Sequence, residues 1–315
     1  MRQTPTTETI SIRVPATTAN LGPGFDSLGM ALSLWNHIRI GWAAKPKVVV
    51  HGEGEQHLRT DDRNMTYRAA ARLLKEVGSS DKHLHIESWH DVPLSRGLGS
   101  SSCAIAGGLY AANALLDYPL DPHRLLELAT EMEGHPDNVA PALMGGMSIA
   151  IRDGDTVHAV PVPVPAELQC VVFIPEKPMA TKKARAVLAD EVSRADAVFN
   201  VGRAALLVAS FALDRPEYLA IATQDRLHQP ARQTIFREMK VLFDNALRAG
   251  ARGVFLSGAG SSVIAFTTRS ENRAFTIGYE MADGADKLHL PGTFRVLDPC
   301  PTGAEIVDSI SAEEG

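Results

Sequence analysis

The segment GLGSSSCAIAGGLYAANALL, residues 97–116, sets two glycines and three serines directly ahead of an almost wholly apolar run of helical length. Glycine tolerates positive φ and lets a backbone approach its neighbour closely. A helix start presents unpaired N–H groups and the positive end of the helix dipole. Together these form an anion site, and phosphate is its natural occupant. Serine hydroxyls add donors and can ligate Mg²⁺ on a nucleotide. Ile105, Leu109, Ala112 and Leu116 share one helical face, while Ala106, Gly107 and Gly108 allow close packing. An ordinary glycine-rich turn with serine caps meets the same pattern. Two rival phosphate motifs fail on residues. No Lys follows Gly99, as a Walker A loop requires. Ser102 stands where a dinucleotide fingerprint needs its third Gly, and Asp117 closes a long helix, not a second strand.

The remaining chain reads as mixed strands and helices without strict alternation, which indicates α+β architecture. TISIRVPATTA and LHIESW alternate as strands, and VVVHGEG is a short apolar strand. NMTYRAAARLLKEVG predicts a helix between Asn64 and Gly78, and DPHRLLELATEMEG another capped by Asp121 with Pro122 at its first position. GGMSIAIRDGDTVHAVPVP reads as a hairpin turning at DGD. PVPVPAE is the best linker, giving domains of 1–162 and 163–315. Beyond it come the strand LQCVVFIP, several helices from Thr181 to Ala249, a strand pair broken at Gly258–Ser262, a long helix and a closing strand, FRVLDP. The tail SAEEG reads as frayed.

With 315 residues, 45% of them apolar, the chain can bury a large core. A net charge of −6 and 6% aromatics give no basis for nucleic acid or an anionic membrane. Three widely spaced cysteines form neither a metal pattern nor a disulfide framework. The start lacks an apolar signal core, and no run reads as a membrane span, so the expected compartment is the cytoplasm.

Several segments together resemble the GHMP kinases. VPLSRGLGSSSC is similar to their ATP-binding signature, VPATTANLGPGFDSLGMAL to their first motif and FLSGAGSSVIAF to their third. EGHPDNVAPALMGG, MATKKARAVL, FNVGRAALLV and DRLHQPARQ resemble the homoserine kinase branch in particular. The resemblance spans about residues 12–266. It implies a two-domain fold: an N-terminal domain like ribosomal protein S5 domain 2 and a ferredoxin-like C-terminal domain, with ATP at their boundary. It implies ATP-dependent phosphorylation of the side-chain hydroxyl of L-homoserine to O-phospho-L-homoserine, on the way to threonine. A sugar or mevalonate-type GHMP kinase is the alternative, and a metabolite-binding regulator that kept the fold is the non-enzyme reading. A homodimer is a further implication.

The resemblance also assigns residues. Nucleotide contacts fall on Asn64 and on Pro93, Leu94, Ser95, Arg96, Gly97, Leu98, Gly99, Ser100, Ser101, Ser102 and Cys103. Arg96 is placed to meet phosphate, and Asn64 to meet adenine or simply to cap its helix. Mg²⁺ falls to Ser101 and an acid before GHPDN: Glu133 first, with Glu131 and Glu127 behind it. Asn20, Asp26, His135, Thr181, Arg185 and Arg232 are the substrate residues. Asp26 suits an ammonium, and the guanidinium forks of Arg185 and Arg232 suit a carboxylate. Their local alternatives are an Asx turn at Asn20 and Asp26 and solvated surface arginines. Asp137 and Asn138 are the catalytic candidates, one as a base or the other as a hydroxyl positioner, and the sequence leaves both open. Ser261, where proline is commoner in the third motif, implies a looser turn with its packing role intact. His51, His83, His85 and His158 read as surface or strand residues.

Overall fold

The computed structural model describes residues 9–308 and 310. The expected frayed tail, SAEEG, lies outside the described residues. The described residues begin with β1 (Thr9–Ala19), β2 (Leu28–Ala43) and β3 (Lys47–Gly52), then α1 (Met65–Glu76) and β4 (His83–His90). Next come α2 (Ser100–Leu115), α3 (Pro122–Glu133), α4 (Val139–Met144) and the hairpin β5 (Met147–Asp153) and β6 (Thr156–Val162). After the proline-spaced stretch follow β7 (Leu168–Pro175), α5 (Thr181–Ala186), α6 (Arg194–Ala212), α7 (Leu219–Ala222), α8 (Gln229–Gln233) and α9 (Met239–Arg248). The described chain closes with β8 (Gly253–Leu256), β9 (Val263–Thr268), α10 (Ala274–Lys287), β10 (Gly292–Leu297) and β11 (Glu305–Ile306).

Two sheets organise these elements. The first runs β11-β1-β2-β4-β3, with β5 and β6 added along the β2 edge, and among the described residues only β3 and β4 pair in parallel. The long strand β2 pairs with β1 along its length but splits its other side. Leu28–Met30 meet β5, and Asn36–Ala43 meet β4. The second sheet is antiparallel, in the order β10-β7-β9-β8. Near its end the chain returns to the first sheet: Pro299 bridges Leu32, and β11 pairs with β1.

The helix α2 is the central element of the first half. Ile105, Leu109 and Ala112 are fully buried, and Leu116 packs at the edge of the same core. A Cβ on Gly108 would come within 2.3 Å of the Thr66 carbonyl oxygen, so only glycine lets α1 and α2 approach this closely. The capping signals hold. Asn64 accepts from Thr66 N, Asp121 accepts from Arg124 N, and Gly134 ends α3 at φ +96°. All three cysteines are free and buried, and burial pushes the Cys103 and Cys170 thiols up.

One expectation needs correction. By length and composition, the 19-residue α6 is apolar enough to cross a membrane. Its sequence carries Arg194, Asp196 and Arg203, and Leu207 and Phe211 belong to the main core. These contacts give it the character of a helix laid on a folded domain.

Candidate active site

Three segments distant in sequence are sewn together around the glycine–serine loop. Thr17 N donates to Leu98 O at 3.1 Å, Ser262 N to Arg96 O at 3.0 Å, and Gly258 N to Ala19 O at 3.1 Å. Ser257 Oγ donates to Gly97 O at 2.6 Å. Gly97 sits at φ +75°, and a Cβ there would lie 2.1 Å from the Ser257 carbonyl oxygen. The loop is therefore clamped between the end of β1 and the β8–β9 turn. Gly99, at φ +71°, starts α2 without any side-chain cap. The first N–H groups of that helix are thus left for a ligand.

Against this loop opens a cavity of about 310 Å³. Gly97, Gly99 and Ser100–Ser102 form one wall, and Leu58, Met65 and Leu94 add an apolar surface. Glu133, at the end of α3, accepts hydrogen bonds from Ser101 Oγ at 2.7 Å and Ser102 Oγ at 3.1 Å. Its neighbours on α3 are engaged elsewhere. Glu127 pairs with Arg124, and Glu131 with Arg72 and Arg124. Of the three acids considered at sequence level, Glu133 alone meets the serines.

The rest of the cavity is charged. Arg185 makes a bidentate pair with Asp26, at 2.7 and 3.0 Å. Hydrogen bonding to Asp26 raises the Arg185 pKa beyond its already high value. Arg232 also lines the cavity but is only 2% exposed. Burial, then the nearby charge of Arg185, pushes its pKa down to about 10, which still leaves it cationic at neutral pH. His135 Nδ1 lies 2.5 Å from Asp137 Oδ1, and Asn138 Nδ2 donates to the same oxygen at 3.3 Å. Asn138 is itself oriented by Thr17, whose hydroxyl donates to Asn138 Oδ1 at 2.9 Å. Burial opposes the charged form of His135, but Asp137 beside it, with Asp26 and Glu133, outweighs burial and raises the pKa.

The chain that carries this site matches known proteins. Residues 64–146 match the N-terminal domain of the GHMP kinases, and residues 209–282 match their C-terminal domain. The homoserine kinase of Moorella thermoacetica is 41% identical over 94% of this chain and 99% of its own length. That of Carboxydothermus hydrogenoformans is 45% identical over 81% of this chain and 84% of its own. The chain belongs to the homoserine kinase family of the GHMP kinases. The solved homoserine kinase of Cytophaga hutchinsonii superposes with a TM-score of 0.88 at 30% identity, covering 98% of this chain and all of that one. An L. major mevalonate kinase solved with R-mevalonate shares the fold, with a TM-score of 0.69 at 16% identity. The expected α+β, two-domain GHMP kinase fold is the one observed.

Within this GHMP kinase, most of the residues singled out in the sequence face the cavity, and some do not. Leu98 and Cys103 are fully buried in the core, and Pro93 does not line the cavity. Arg96 turns away from it, donating to the carbonyls of Leu94, Pro175 and Glu176. It ties the loop to the second sheet and does not reach a phosphate here. Asn64 lines the cavity, but its side chain is spent on Thr66 N and Arg59 O. Asn20 likewise accepts from Asp26 N at 3.0 Å and donates to Gly258 O at 2.9 Å. It thereby fixes the turn that carries Asp26. Ser261, where the sequence implied a looser turn with its packing role intact, is packed into the structure. Its hydroxyl donates to Lys177 O at 2.7 Å, and the residue is 2% exposed. Sequence reasoning missed His90, Thr66 and Leu58 on the cavity wall, and Thr17 behind Asn138. Thr17 lies inside a motif quoted for its glycines and Asn20. His90 ends an alternating strand, where nothing marks it as cavity-facing.

Proposed function

We propose that this enzyme transfers the γ-phosphoryl group of ATP to the side-chain hydroxyl of L-homoserine, forming O-phospho-L-homoserine in threonine biosynthesis. One observation carries the reading. A single cavity unites an uncapped, glycine-led helix start with an Asp26–Arg185 pair and a second, buried arginine, Arg232. The helix start suits a polyphosphate. The charged cluster suits a small molecule bearing both an ammonium and a carboxylate.

Homoserine would exchange with the internal ion pair. Its ammonium would take the place of Arg185 beside Asp26, and its carboxylate would meet the forks of Arg185 and Arg232. Thr181 lies on the same wall. Held by both ends, the substrate directs its hydroxyl toward Asp137 and Asn138. Phosphoryl transfer needs mainly alignment and charge stabilisation. We assign Asn138 and Asp137 to positioning the hydroxyl, because Asp137 is already engaged by His135 and Asn138. The hydroxyl proton leaves late, to phosphate or to solvent. The free N–H groups at the start of α2 offset charge on the transferred group.

Glu133 and Ser101 offer hard oxygen donors of the kind Mg²⁺ prefers, already within 2.7 Å of each other. They are the residues that would hold Mg²⁺, which neutralises charge on the polyphosphate. A homodimer in the cytoplasm completes the proposal. ADP release measured with L-homoserine, L-serine, galactose and mevalonate tests the reading. Turnover of homoserine well above the others is expected, and preference for galactose or mevalonate would overturn it.

A further inference from the structure

His228 is a buried titratable residue outside the cavity wall, and the phosphoryl-transfer scheme leaves it without a task. It is fully buried and stacks on Phe25 with ring centroids 5.2 Å apart. Its Nε2 lies 2.7 Å from the Gly22 carbonyl oxygen, and its Nδ1 lies 3.0 Å from Arg232 Nη1. A guanidinium can only donate and a carbonyl can only accept. The ring must therefore be neutral, with the proton on Nε2 and the lone pair of Nδ1 facing the arginine. Burial lowers the His228 pKa, which keeps that neutral form populated.

The placement of this ring links two parts of the site. Gly22 lies in the turn that carries Phe25 and Asp26, while Arg232 lies one helical turn from His228 on α8. The segment holding His228 is itself fixed, since Asp225 accepts from the backbone N–H groups of Leu227, His228 and Gln229 and from Asn200 Nδ2. Arg232 Nη1 also donates to Gly258 O at 2.7 Å, and its Nε to Ala184 O at 3.3 Å. Both bonds are to fixed backbone. The bond to His228 is its one side-chain anchor among the described hydrogen bonds.

We propose that His228 is a positioning residue for substrate recognition: its neutral ring holds the Arg232 guanidinium and the Asp26 turn in register, so that the two can grip opposite ends of an amino-acid zwitterion. This rests on the homoserine reading above. The two ring bonds can be separated by substitution, because Asn places its polar atoms near Nδ1 and Gln near Nε2. His228→Gln keeps the bond to Gly22 and deprives Arg232 of its acceptor. The homoserine KM is expected to rise at least tenfold, with the ATP KM changed less than threefold. His228→Asn returns an acceptor to Arg232 and is expected to restore most of the homoserine affinity.

Equal losses in both variants, or parallel rises in the two KM values, would mark His228 as a mere packing residue and overturn the proposal. Should His228→Gln fail to fold, ring ¹⁵N shifts of the wild-type enzyme decide the matter. An unprotonated Nδ1 with protonated Nε2 is expected, and an Nδ1–H tautomer or an imidazolium would overturn it. If wild-type enzyme turns over no homoserine, the functional reading fails first. If it does and His228→Gln behaves as wild type, only the present inference fails.

Discussion

The two walls of the cavity are built on opposite principles. The loop wall consists of backbone and hydroxyls contributed by one continuous segment, residues 97–102, and its shape is enforced by glycine geometry. The charged wall consists of side chains from the turn after β1, the α3–α4 turn, α5 and α8, spread over more than 200 positions. The first must be rigid, because backbone N–H groups can only be aimed by fixing φ and ψ. The second can rest in a self-paired state, Asp26 with Arg185, until a ligand supplies replacement charges. The contrast teaches that polyphosphate binding and acceptor binding should fail independently under mutation.

The largest effect is expected from Gly97→Ala. Positive-φ strain costs about 1–3 kcal/mol on its own, and the added methyl would meet the Ser257 carbonyl oxygen at 2.1 Å. Thermal unfolding should show a lower Tm, and kcat/KM for ATP should fall at least ~100-fold, since ~1.4 kcal/mol corresponds to tenfold. An ATP response within threefold of wild type would break the picture of a rigid loop.

Next comes Arg185→Leu. A hydrogen bond to a charged group contributes about 1.5–3 kcal/mol, so the homoserine KM should rise roughly 10- to 100-fold. The ATP KM should stay nearly constant, and equal changes in both would erase the distinction between the walls. Asp137→Asn should lower kcat by about tenfold, whereas loss of an obligatory general base typically costs roughly 10²–10⁴-fold. A fall at the upper end of that range would turn Asp137 from a positioner into the base.

The smallest effect concerns pH. The His135 pKa is raised in the folded protein. Its pairing with Asp137 therefore stabilises fully below the ordinary histidine value, about 6.5. That stability is lost as pH rises through the raised value. Denaturant midpoints of wild type and His135→Gln should accordingly converge as pH climbs past neutrality. A gap that widens with pH would contradict the assignment.

What could be read from sequence follows the same division. Helices α1, α2 and α3 and the β5–β6 hairpin were legible because caps, glycine stops and alternation are local signals. The strand β2 was not, since its first five residues are all buried and burial persists through most of its length, leaving little alternation to read. Two-residue β11 carries no pattern at all; its pairing with β1 depends on the chain's return past Pro299. In the site, the loop, Glu133 and the arginines were reached through motifs. The outward turn of Arg96 was not, because an arginine's rotamer depends on which carbonyls are nearby.

The amino-acid order alone determined where backbone could bend and where helices could begin, because glycine, proline and capping side chains act within a few residues. It therefore dictated the phosphate-ready loop. Which charges face one another was decided only by the tertiary fold. Asp26 meets Arg185 across 159 positions, and His228 meets Gly22 across 206. Coulomb and hydrogen-bond forces act over a few ångströms of space, and sequence distance has no bearing on that separation until the sheets have packed.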